Sequence, residues 1–182
     1  QFDEHHALED AKRIVKTAID NFPNRKAEVM IPKEKEKMVV GFSYEAINYH
    51  LGGTFRGSYT PLNDNIINGR IRGVAGVVGC DNPKMGSGAH HVALVKELIK
   101  NNVLVVQTGC AAIECAKEGL LRPETAYEMA GDGLKEVCKA VGIPPVLHAG
   151  ACIDNSRILT ACCEMVREGG LGNGLDELPV AG

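Results

Sequence analysis

The chain has 182 residues, 45% of them hydrophobic but only 4% aromatic, and a formal net charge of −3. That length suits one well-buried domain better than two, and a core poor in aromatics must be built from Val, Ile, Leu and Ala, which favours α/β layers. Acidic and basic residues are mixed along the chain without a basic stripe, and no apolar run is long enough to cross a bilayer. Nucleic-acid binding and a membrane span are therefore set aside, and a cytoplasmic location is expected.

In chain order, His5 to Phe22 reads as an amphipathic helix, with Ala7, Ile14, Val15, Ala18, Ile19 and Phe22 recurring near the helical period. Pro23 ends it, because proline disfavours helix at the residue before it. Pro32–Lys37 is a charged, solvated connector. Residues 1–37 thus form an N-terminal helix and connector, and residues 38–182 the main domain. Met38–Phe42 is expected as a short strand, followed by a helix that Ser43 caps and Gly52-Gly53 stops. Residues 54–60 make a polar loop without an assigned role, and Pro61 opens a short helix ending at Asn68-Gly69.

From there the pattern repeats. Strand Ile71–Val78 runs into Cys80 and a loop over 81–88, then helix His91–Asn101. Strand Val103–Gln107 runs into Cys110 and a helix that stops at Gly119. One long helix is expected over Pro123–Val141, then strand Val146–Ala149 into Cys152. A last helix, Asp154–Arg167, is capped by Asp154 or Asn155. Strand and helix in regular alternation predict an α/β fold: a doubly wound, Rossmann-like, mostly parallel sheet with helices on both faces.

The three strand ends carry the chemistry. Each passes through glycine into a cysteine, directly or one residue on, and ligands of open α/β sheets bind at the carboxyl ends of the strands. Cys80, Cys110 and Cys152 are 30 and 42 residues apart, a spacing that fits ligands on successive βα units and no single local loop. Helix N-termini beside them favour a negatively charged sulfur, and the glycines let backbone approach a bulky iron–sulfur group. The competing reading is that a free cysteine packs as a small hydrophobe. For Cys115, Cys138, Cys162 and Cys163, which fall within helices, that reading wins. On residue type alone His148 is a hydrogen-bonded core histidine, and Lys84 is an ordinary loop lysine. The seven cysteines include no CxxC pair, which argues against a disulfide framework, a zinc ribbon and a thioredoxin-type site. The loop after Cys80 has neither phosphate-binding glycine pattern. Beginning at Gln1 and stopping at Gly182 without a closing element, the chain is expected to be a piece of something longer.

Three segments, VVGCDNPK at Val77–Lys84, LVKELIKNNVLVVQTGCAAIECAK at Leu94–Lys117 and PPVLHAGACIDNSR at Pro144–Arg157, resemble the nickel-dependent carbon monoxide dehydrogenases. Hybrid-cluster proteins, which reduce hydroxylamine, are a weaker match, and a non-catalytic partner-binding module is the rival from another class. The resemblance implies an oxidoreductase of anaerobic one-carbon metabolism that interconverts CO and CO2 at a nickel–iron–sulfur (Ni-4Fe-4S type) cluster. It implies that Cys80 and Cys110 hold irons, that Cys152 is the nickel ligand central to catalysis, and that His148 and Asn155 stand behind them, with Arg157 in a similar position. Further 4Fe-4S clusters would lie in an N-terminal part outside this sequence. The partners it implies are a ferredoxin-like electron acceptor and a second copy in a homodimer, either free-standing or with acetyl-CoA synthase. With three of six cluster ligands present, the piece alone is expected to be inactive. The interval from Cys110 to Cys152 is short for the family, which points to a trimmed connection.

Overall fold

The computed structural model describes residues 3–52, 57–82, 84 and 88–182, so the loops expected over 54–60 and 81–88 fall partly outside the described residues. The chain divides into two compact units, Gln1–Glu36 and Lys37–Gly182. The first is helix α1 (Ala7–Asn21), preceded by a 3-10 turn at Glu4–His6 in which Asp3 accepts the His5 N–H, and followed by a second such turn at Phe22–Asn24. Ile14, Val15, Ile19 and Phe22 stand exposed on it.

The second unit is built on a four-stranded, all-parallel sheet of β1 (Gly73–Val77), β2 (Val103–Thr108), β3 (Val146–Gly150) and β4 (Val180–Ala181), in the order β3-β2-β1-β4. Strand β2 is central and buried over Leu104–Thr108, as expected of an apolar run covered on both faces. Its alternation divides the two sides. Leu104 and Val106 face an apolar cavity roofed by α2 (Tyr44–Leu51), α3 (Thr60–Ile67) and α8 (Asn155–Glu168), joined there by Ile47, Leu62, Ile158 and Met165. On the other face, Gln107 reaches Cys115 of α5 (Gly109–Lys117), and α4 (Ala89–Lys100) packs beside α5. Helices thus cover both faces of a doubly wound sheet.

Four local expectations change. Met38–Phe42 forms no strand: Val39 N–H donates to Leu121 O at 2.9 Å, while Gly41, at φ +92°, and Phe42 N–H both donate to His148 O at 3.1 and 3.0 Å. Two successive donors sharing one carbonyl cannot form a ladder. The long helix over 123–141 is two, α6 (Pro123–Met129) and α7 (Asp132–Val141). The break falls at Gly131, where a Cβ would sit 2.4 Å from Asn102 Oδ1 and 2.7 Å from Lys100 O, so only glycine lets this turn press against the end of α4. Asn102 then caps α7, its Oδ1 accepting the Leu134 N–H at 3.0 Å. Neither Asp154 nor Asn155 caps α8 by a side-chain bond; the Asp154 carboxylate turns back to accept the Ala151 N–H at 2.8 Å and opens a 3-10 turn over Cys152–Asp154. Strand β4 was not anticipated. It pairs Val180 with Val74 and Ala181 with Ala75.

Candidate metal centre

Each of the three cysteines follows a strand of the same parallel sheet, and all three are exposed free thiols. Cys80 lies past the end of β1, where Gly79 O accepts the Ala111 N–H at 3.3 Å and so ties the exit of β1 to the first turn of α5. Cys110 is the second residue of α5. Cys152 opens the 3-10 turn after β3.

The Cys110 and Cys152 turns are in contact. Gly109 has φ +58°, and a Cβ there would stand 2.2 Å from Cys152 Sγ, so the sulfur rests over a position where any side chain would displace it. Beside it the buried Thr108 hydroxyl donates to Asn155 Oδ1 at 2.5 Å. Asp154 steadies the Cys152 turn from the far side, accepting the Ala151 N–H at 2.8 Å and Arg157 Nε–H at 3.0 Å. Arg157 also lies 3.9 Å from Glu45 of α2, an exposed pairing worth little by itself.

The expected supporting residues separate. Asn155 is at the site, bonded to Thr108. His148 pairs in register with Gln107 of β2. Strand alternation places its ring on the α4–α5 side, because Ala149 lines the cavity on the α8 side. The His148 carbonyl accepts the Gly41 and Phe42 N–H groups.

Burial sorts the other cysteines. Desolvation pushes the Cys115 thiol up to about 11, against a smaller opposing pull from the Gln107 hydrogen bond, and pushes Cys138 up to about 12. Cys162 is also raised by burial, with a smaller contribution from Cys163. Cys115 and Cys138 therefore stay protonated and packed, as the core reading expected. Cys163, by contrast, is exposed.

The sequence reading passed over a polar tie behind Cys80. Asp81 Oδ1 accepts the Gly88 N–H at 3.0 Å, and the buried Glu114 pairs with Lys117 at 2.6 Å. That hydrogen bond is the chief reason the Lys117 ammonium is favoured. The i,i+3 Glu–Lys spacing was visible in the sequence; the burial of Glu114 was not. Lys84 is exposed, its N–H bonded to Asn82 Oδ1 at 3.1 Å.

Among the described residues, no three His, Cys, Asp or Glu side chains converge closely enough to hold a single metal ion. The donors on the rim are nonetheless soft thiols, the chemistry that selects iron–sulfur groups, and the bare Gly109 leaves room beside Cys152. The residues present fit part of such a group's ligand set.

The model of the Prismane/CO dehydrogenase family matches residues 1–182. The chain belongs to that family. It is similar, at 54% identity over its full length, to carbon monoxide dehydrogenase 1 of Methanosarcina mazei, of which it covers 28%. Against carbon monoxide dehydrogenase 2 of Carboxydothermus hydrogenoformans the identity is 42% over 98% of this chain and 29% of that one. Among solved structures, nickel-free carbon monoxide dehydrogenase from Thermococcus sp. AM4 superposes with a TM-score of 0.80 at 48% identity, over 100% of this chain and 28% of its own. An acetyl-CoA synthase/carbon monoxide dehydrogenase described with NiZn[Fe4S4] and NiNi[Fe4S4] clusters gives a TM-score of 0.78 at 36% identity, over 100% of this chain and 28% of its own. The chain thus spans less than a third of the length of these family members.

Proposed function

We propose that this chain is the portion of a carbon monoxide dehydrogenase that supplies Cys80, Cys110 and Cys152 to a nickel–iron–sulfur cluster. The reading is carried by one observation: in a member of this family, three exposed thiols leave the ends of three neighbouring parallel strands. When bound, the cluster supplies Lewis-acid and redox chemistry for CO + H2O → CO2 + 2 H⁺ + 2 e⁻. The residues of the chain do the holding. Cys80 and Cys110 bind irons, and Cys152 binds nickel from a turn that Asp154 fixes. Gly109 keeps the neighbouring backbone clear of that sulfur. Asn155 supports the Cys152 turn from its bond to Thr108, and His148, within β3, is assigned as the second supporting residue.

With this reading go further 4Fe-4S clusters in the N-terminal part of the parent, a ferredoxin-like acceptor for the two electrons, a homodimeric parent alone or with acetyl-CoA synthase, and a cytoplasmic setting in anaerobic one-carbon metabolism. Among the described residues no helix is long and apolar enough to cross a membrane.

The test uses the full-length enzyme. Cys152→Ala should abolish CO oxidation and remove nickel while leaving most of the iron. Full activity with wild-type nickel in that variant would refute the assignment. Metal analysis of the unmodified enzyme separates the rivals, since iron without nickel would favour a hybrid-cluster protein and no metal a packing role for the cysteines. The 182-residue chain by itself should oxidise no CO.

A further inference from the structure

The Cys110 and Cys152 turns belong to different βα units, so nothing covalent and local fixes the distance between their sulfurs. Among the described residues, one side-chain bond crosses from one unit to the other at this point. Thr108, the last residue of β2, is fully buried, and its hydroxyl donates to Asn155 Oδ1 at 2.5 Å across 47 residues of sequence. Thr108 lies two residues before Cys110, and Asn155 lies three after Cys152. The bond also crosses an irregularity: the β2–β3 register runs Gln107 to His148 and then Thr108 to Gly150, skipping one residue. The ladder resumes out of step by one residue, and the side-chain bond ties the two strand ends together at that irregular point.

We propose that Thr108 is a positioning residue: through Asn155, its hydroxyl sets the spacing between the Cys110 and Cys152 sulfurs. This rests on the reading of those cysteines as cluster ligands. The Thr108 methyl packs and the hydroxyl positions, and the two can be separated. Thr108→Val keeps the shape and removes the donor. Thr108→Ser keeps the donor and removes the methyl. Asn155 is exposed in the first turn of α8, so Asn155→Ala removes the acceptor with little demand on the core.

The experiment is chelator competition for nickel, together with the iron–sulfur electron paramagnetic resonance signal, in the full-length enzyme and these variants. Thr108→Val and Asn155→Ala should each lose nickel about 10- to 100-fold faster, the range found when the partners of metal ligands are removed, with an altered signal. The double variant should be no worse than either single one, because both delete the same bond. Thr108→Ser should behave as the unmodified enzyme. If Thr108→Val and Asn155→Ala both retain nickel and signal, or if Thr108→Ser is the damaging change, the proposal is overturned. Should Thr108→Val fail to fold, Asn155→Ala alone decides. An unmodified enzyme without nickel or cluster would instead refute the functional reading, a result distinct from any of these.

Discussion

Gly109→Ala separates backbone cost from displacement of a sulfur. Gly109 has φ +58°, and Gly142, at the end of α7, has φ +76°. Alanine in this left-handed region costs about 1–2 kcal/mol. At Gly142 an added Cβ meets nothing within 4 Å, so Gly142→Ala should show that cost alone. At Gly109 the new Cβ would lie 2.2 Å from Cys152 Sγ, far inside contact distance. The cheapest relief is for Cys152 to swing away or twist off its rotamer, which adds roughly 0.5–1.5 kcal/mol. Gly142→Ala should therefore lower the melting temperature of the 182-residue chain by about 2–8 °C, and Gly109→Ala by a few degrees more, at ~2–4 °C per kcal/mol for a chain of this size. The decisive measurement is metal. In the full-length enzyme Gly109→Ala should lose nickel at least about tenfold, whereas Gly142→Ala should keep it. Equal melting shifts together with wild-type nickel in Gly109→Ala would refute the claim that this glycine holds space for the sulfur.

The buried thiols make stability depend on pH. Cys115 and Cys138 ionise near 9.0 when free but are pushed up to about 11 and about 12 in the fold. Above pH 9 the unfolded state therefore binds fewer protons than the folded one, and stability falls as pH rises, by up to ~1.4 kcal/mol per pH unit for each thiol. Urea midpoints between pH 8 and 11 should decline, and Cys138→Ala should flatten the decline; a flat wild-type profile would count against the burial argument. Asn63 of α3 is buried, and its Nδ2 donates at 2.8 Å to both Met165 O and Gly169 O, closing the carboxyl end of α8. Asn63→Ala strands both carbonyls and should cost about 2 kcal/mol, measured as a lower urea midpoint with an unchanged slope.

What could be read in the sequence follows from the range of the forces involved. The strands of β1, β2 and β3 announced themselves as short apolar runs, and the Ser43 cap and the stop at Gly52 are local chemistry that the structure reproduces. The expectation that three cysteines follow three parallel strand ends was met because chain order and the crossover rule fix which edge each strand end reaches. The errors fall where distant residues decide. The Pro123–Val141 pattern is helical throughout, and only contact with Lys100 and Asn102 shows why Gly131 interrupts it. Met38–Phe42 has strand composition, but its donors go to Leu121 and to one shared carbonyl. Strand β4 is two residues long and carries no periodicity at all. At the site, Thr108–Asn155 was invisible for the same reason: a hydroxyl and an amide 47 residues apart leave no local pattern.

The strand order has a consequence for what the rim can measure. Cys80, Cys110 and Cys152 follow β1, β2 and β3, which are consecutive neighbours in the sheet. Adjacent strands lie ~4.8 Å apart, so the two outer chain exits are separated by roughly 10 Å. The sheet acts as a ruler graduated for an object several atoms wide: too coarse to pinch one ion, and well matched to a polynuclear body spread along its edge.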